Sequence, residues 1–153
     1  MVWWQYLIYG LAVAFFGAMV GYCFTMRGAS QERKTRERDQ LRSATRSILV
    51  EVEADLKLAR QPWQGRLVPF AMGMWDAHKG YILALPEDLQ NDIHRVYIEV
   101  QRANALFQQN LNLPHGSGYY DKDYREQCTK IANEAEKASK LLRDWLKQEG
   151  VEI

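Results

Sequence analysis

Residues 1–26 contain no Asp, Glu, Lys, Arg or His, and seven Lys or Arg follow within residues 27–46. A charge-free run of this length leaves the chain few folds to choose from. Written as a helix, residues 2–25 extend roughly 36 Å at 1.5 Å per residue, against a hydrocarbon core of about 30 Å. A core helix of a soluble domain seldom runs so far without a charge. The segment predicts one membrane-spanning helix, with residues 1–28 as the anchor and residues 29–153 as a single further domain.

The flanks of the run agree with that expectation. Trp3, Trp4 and Tyr6 cluster at one end and Tyr22 near the other, where amphipathic rings sit at headgroup level. Arg27, Arg33 and Lys34 lie just beyond, and positive residues resist translocation. The topology expected is N-terminus outside and the C-terminal domain in the cytoplasm. A cleaved signal peptide would need a basic start and a shorter apolar stretch, and this chain has neither.

Gly10, Ala14, Gly17, Ala18 and Gly21 form one small-residue stripe on this helix, including a Gly-x-x-x-Gly pair. Small residues let membrane helices approach closely, so the expected partners are helices of other membrane proteins or a second copy. Small residues are also simply common in membrane helices.

Charge is divided unevenly. Residues 27–46 carry net +4 and residues 47–153 net −3. A basic collar beside a membrane reads as an orientation signal and a contact for lipid headgroups. Glu32, Glu37 and Asp39 interrupt it, which argues against nucleic acid. Cys23 and Cys128 lie too far apart in character to pair, so no disulfide framework is expected.

The rest of the chain reads as helix. Leu41, Ile48, Val52, Leu56 and Ala59 form an apolar stripe flanked by charges, predicting a helix over 30–60 that Pro62 stops. Gly28 and Ser30 allow either a break before it or a continuous helix. A short helix is predicted over 70–79 with Gly80 as its stop. Leu85-Pro86-Glu87-Asp88 then starts a helix reaching about 113. After a Pro/Gly loop at 114–118, a last helix is predicted over 121–148, ended by Gly150. No segment alternates in the manner of a strand. The fold class expected is all-α: a transmembrane helix followed by an antiparallel bundle of three long helices and one short one.

Chemistry is sparse. His78, His94 and His115 lack the Glu-x-x-His spacing of di-iron bundles, and no His or Cys pair has metal-ligand spacing. No nucleophile elbow or phosphate-cradling loop occurs. Neither a metal nor a cofactor is expected, and the chain is read as a non-enzyme. Asn104 falls on the apolar stripe between Val100 and Phe107 and reads as a core asparagine bonded to a neighbour. Trp63, Phe70, Trp75 and Tyr81 make the middle segment aromatic, either as a hydrophobic cap on the bundle or as a docking surface.

The stretch Trp75-Asp76-Ala77-His78-Lys79-Gly80-Tyr81-Ile82-Leu83-Ala84-Leu85-Pro86-Glu87-Asp88-Leu89, followed by Tyr97 and Asn104, resembles a pattern in small bacterial membrane-anchored proteins. The resemblance covers residues 41 to about 113. It implies one membrane helix, a cytoplasmic bundle and a bacterial inner membrane, and it carries no activity. Two functions are expected from these readings. One is an accessory or scaffold subunit of a membrane complex. The other is a ligand- or signal-sensing bundle with a site near Trp75, His78 and Asn104.

Overall fold

The computed structural model describes residues 3–62, 67–111 and 121–152, and within these nothing is described of the side chains at 4–9, 11–14, 23–24 and 121. Helix α1 covers Trp3–Ala59, α2 Gly73–Ile82, α3 Glu87–Leu111 and α4 Asp121–Gln148. Among the described residues no strand occurs, so the all-α expectation holds. The chain divides into two compact units, Met1–Gln40 and Leu41–Ile153.

In the first unit every described side chain is exposed. Among the described residues no helix is long and apolar enough to cross a membrane, so the membrane-spanning helix expected from sequence finds no support there. Gly28 does not break the helix. Ser30 Oγ donates to the Arg27 carbonyl at 2.9 Å instead of capping a new N-terminus, and Thr25 and Thr35 bond back in the same way. From 27 to 40 the helix is polar on every side. Its lateral support comes from Arg36–Glu32 at 2.5 Å and Arg33–Glu37 at 2.9 Å, both one turn apart.

The second unit is built on three helical faces. The C-terminal part of α1 buries Ala44, Ile48, Leu49 and Val52; α3 buries Leu89, Ile93, Val96, Tyr97, Val100 and Ala103. On α4 the buried set is Tyr124, Ile131, Ala135, Ala138, Leu142 and Leu146. Spacings of three and four put each set on one side of its helix. Three ion pairs, Arg42–Glu149, Arg143–Glu53 and Arg60–Glu136, run in opposite order along α1 and α4, which makes these two helices antiparallel. Phe70, Ile82 and Leu85 complete the core from the connecting segments.

The ends of α4 match the sequence reading. Gly150 adopts φ +74°, the left-handed conformation that glycine reaches without a Cβ clash. The Val151 N–H then reaches Leu146 O at 2.9 Å and the Gly150 N–H reaches Lys147 O at 3.0 Å, with Val151 packed on the core. This is the double bond that satisfies a helix's last carbonyls.

Helix α2 differs from the sequence expectation. Local pattern puts it over 70–79, whereas it lies at Gly73–Ile82 and passes through Gly80. The reason is tertiary. Side chains from α1 and α3 hold the main-chain N–H groups of Phe70 and Ala71, leaving 67–72 non-helical. The expected end of α3 at 113 and the loop at 114–118 lie outside the described residues.

Candidate functional site

Glu51 and Asp55 stand one turn apart on α1 and are both buried, at 6% and 2% exposure. Burying a carboxyl costs heavily unless its oxygens find donors. Glu51 finds three. Its Oε2 accepts the Met74 N–H at 2.8 Å, and its Oε1 accepts the Trp75 N–H at 3.0 Å and the Tyr97 hydroxyl at 2.7 Å. Met74 and Trp75 are in the first turn of α2, whose own N-cap, Met72, makes no side-chain bond. Glu51 therefore caps α2 from another helix, placing a carboxylate at the positive end of its dipole.

Asp55 is less well supplied. Its Oδ1 accepts the Ala71 N–H at 3.1 Å, while its buried Oδ2 has no hydrogen-bond partner among the described residues. Burial pushes its pKa from 3.8 up to about 7, the Ala71 bond opposes the rise and the charge of Glu51 adds to it. Near neutral pH this carboxyl is held at the edge of protonation. Burial also raises the Tyr97 phenol, and the bond to Glu51 raises it further.

Two more clamps continue the pattern. The Asn104 carboxamide accepts the Phe70 N–H at 2.8 Å and donates to the Phe70 carbonyl at 3.0 Å. The Tyr124 hydroxyl accepts the Val68 N–H at 3.2 Å and donates to the Val68 carbonyl. Val68 and Phe70 thus turn both main-chain groups toward the helices, and Pro69, which has no N–H, falls between them. Burial moves the Tyr124 phenol up to about 12. Phe70 meets Tyr124 at 6.2 Å between ring centroids, and Trp75 stacks on Tyr97 at 4.5 Å with His94 tilted against it at 5.8 Å.

The residues singled out from sequence are distributed as follows. Asn104 is the bonded core asparagine expected. Trp75, His78 and Asn104 do not converge: Trp75 lies on Tyr97, His78 tilts toward Tyr81, and Asn104 is committed to Phe70. The Nδ1 of His78 is buried without a partner among the described residues. Of the aromatic quartet, Phe70 is buried, Trp75 half-buried and Tyr81 exposed, while Trp63 lies outside the described residues. Gly10, Gly17, Ala18 and Gly21 are exposed, and a Cβ added at any of the three glycines meets nothing within 4 Å. Trp3, Tyr22, Arg27, Arg33 and Lys34 are exposed as well, and the side chains of Trp4, Tyr6 and Ala14 lie outside the described residues.

No group of three His, Cys, Asp or Glu is arranged to hold a metal ion among the described residues. A groove of about 490 Å³ between α1 and α4 is lined by Arg60, Lys140, Arg143 and Lys147 together with Glu136 and Asp144. Its two arginines are answered by carboxylates, Arg60 by Glu136 at 2.6 Å and Arg143 by Glu53 at 2.7 Å. Cys128 is half-buried and its thiol is pushed up by burial, which favours the unreactive form.

Sequence reasoning missed Glu51 and Asp55 by reading them as solvated flanking charges. Their positions held the signal, because they fall three and seven residues after Ile48 and so on the buried side of α1. Comparison of the chain with protein families, curated proteins and solved structures found no match.

Proposed function

We propose that this protein is a non-enzymatic, membrane-anchored accessory or scaffold subunit, with its bundle on the cytoplasmic side of a bacterial inner membrane. The observation that carries the reading is the charge-free run of residues 1–26 followed at once by the basic collar. An isolated helix gains nothing in water from such a run, whereas in lipid it satisfies its backbone internally. The open surroundings of Gly10, Gly17 and Gly21 support a helix-packing role, since small residues there serve no contact among the described residues. Lipid headgroups and the helices of other membrane proteins, or a second copy, are the partners that follow.

The polar groups of the bundle support a binding role over catalysis. Glu51, Asn104 and Tyr124 spend their hydrogen bonds on the chain's own backbone, and Tyr97 spends its hydroxyl on Glu51. The reading is tested by extracting native membranes in mild detergent, separating complexes on a native gel and identifying co-migrating chains by mass spectrometry. A reproducible set of foreign subunits is expected. Migration alone, or recovery in the soluble fraction, would overturn it.

A second reading, a sensing bundle, is favoured by one specific observation. Asp55 Oδ2 and His78 Nδ1 are buried polar atoms without partners among the described residues. Such atoms are uncommon in folded proteins and often mark sites that do something.

A further inference from the structure

We propose that residues 67–75 form a releasable strap whose hold on the bundle is set by the proton on Asp55. The strap is fastened from outside itself. Tyr124 of α4 holds Val68, Asn104 of α3 holds Phe70, and Asp55 and Glu51 of α1 hold Ala71, Met74 and Trp75. Every one of these bonds runs from a side chain to the main chain. Apolar backing is partial: Phe70 is the one fully buried side chain of the strap and Leu67, Met72 and Trp75 are half-buried against the core, while Val68, Pro69, Ala71, Gly73 and Met74 are exposed. A segment with one fully buried side chain among nine opens locally at lower cost than helices whose whole faces are buried.

Asp55 is the fastening that changes with pH. Protonated, it is a neutral buried group that still accepts the Ala71 N–H. Ionised, it becomes a second negative charge one turn from Glu51, with Oδ2 shielded from water and unbonded among the described residues. Among the described residues, the groups facing this pocket offer no relief. Glu51 on α1 adds negative charge, and so does Asp76 on α2, whose field reaches Tyr97. Tyr97 on α3 and Tyr124 on α4 stay protonated, since burial raises both phenols, and among the described residues the strap itself supplies only the Ala71 N–H. Opening the strap admits water to the ionised carboxylate. The closed form therefore binds a proton that the open form releases, in the interval between the ordinary carboxylate range and about 7.

The test is hydrogen–deuterium exchange by mass spectrometry on the full-length chain in detergent micelles, between pH 4.5 and 8.5. Exchange times are scaled to the intrinsic chemical rate at each pH. Protection of peptides covering 67–82 is expected to fall up to about tenfold per pH unit until about pH 7 and then to level off, as one linked proton requires. Asp55→Asn, which keeps the shape and an acceptor, is expected to remove this slope. The core of α4 is expected to exchange at least tenfold more slowly than the strap throughout. A flat corrected profile in the wild type, the same slope in D55N, or loss of strap and α4 core as one unit would each overturn the proposal. If D55N fails to fold, the wild type decides alone. The pH at which protection levels off must then coincide with the titration of the Asp55 ¹³Cγ resonance, and a mismatch overturns the strap mechanism.

Discussion

Asn104 holds Phe70 at both main-chain groups, accepting its N–H at 2.8 Å and donating to its carbonyl at 3.0 Å across 34 residues of sequence. A carboxamide presents the same donor and acceptor as a peptide unit, so it stands in for the neighbouring strand or helical turn that this segment lacks. The ring of Phe70 is thereby delivered to the core beside Tyr124.

Replacing Asn104 with Ala leaves both Phe70 groups without their partner. The expected loss is about 1–3 kcal/mol in chemical denaturation. Asn104→Asp keeps the acceptor, removes the donor and adds a charge, so it is expected to fall below Ala as pH rises above about 5. Urea midpoints followed by far-ultraviolet circular dichroism give both values.

Glu51→Ala removes the cap of α2 and strands the Tyr97 hydroxyl. A loss of about 2–4 kcal/mol is expected, with α2 melting before the rest. Because Trp75 sits in the capped turn and stacks on Tyr97, the near-ultraviolet dichroism of that pair is expected to vanish in E51A. Tyr97→Phe leaves the stack intact and is expected to cost only about 1 kcal/mol.

Stability is expected to fall as pH rises from about 4 to about 7. The folded-state pKa of Asp55 lies above its unfolded value, so the native state binds more protons across this window and loses their support as pH climbs. At 1.36 kcal/mol per unit, the rise from 3.8 to about 7 amounts to at most about 4 kcal/mol. Asp55→Asn is expected to match the wild type near pH 4 and exceed it by a few kcal/mol at pH 8. Guanidinium midpoints at the two pH values provide the comparison.

Gly150→Ala is expected to cost about 1 kcal/mol, since φ +74° suits glycine and strains alanine. The loss should come entirely from the end of α4. Amides of 146–151 are expected to gain exchange while Ile131 remains protected.

Gly17→Leu combined with Gly21→Leu addresses the first unit. A Cβ at either position has no neighbour within 4 Å among the described residues, so the substitutions are expected to leave the helix intact. Loss of co-purifying chains or of self-association would then come from a contact with another molecule. Unchanged partners would remove the stripe from the docking surface.

Much of the fold was legible because it rests on local pattern. The spacing of Ile131, Ala135, Ala138 and Leu142 marks α4, and Gly150 marks its end, without reference to anything distant. The start of α2 was not legible. Residues 70–72 have nothing in their own composition that forbids helix, and what withholds them is Asn104 and Asp55, which lie 34 and 16 residues away. Asn104 itself announced a buried role by interrupting an apolar stripe. Glu51 and Asp55 announced the same by position, but charged residues beside a stripe ordinarily face water.

The way the 67–72 segment is fastened has an evolutionary corollary. Its pins grip the main chain, and the side chains of Val68, Pro69 and Ala71 are exposed, so the segment imposes few demands on which amino acids stand at those positions. Homologous chains are expected to vary freely at Val68 and Ala71 while retaining an asparagine, a tyrosine and two acids at positions remote in sequence. Selection would then be visible not in the segment that is held but in the residues that hold it.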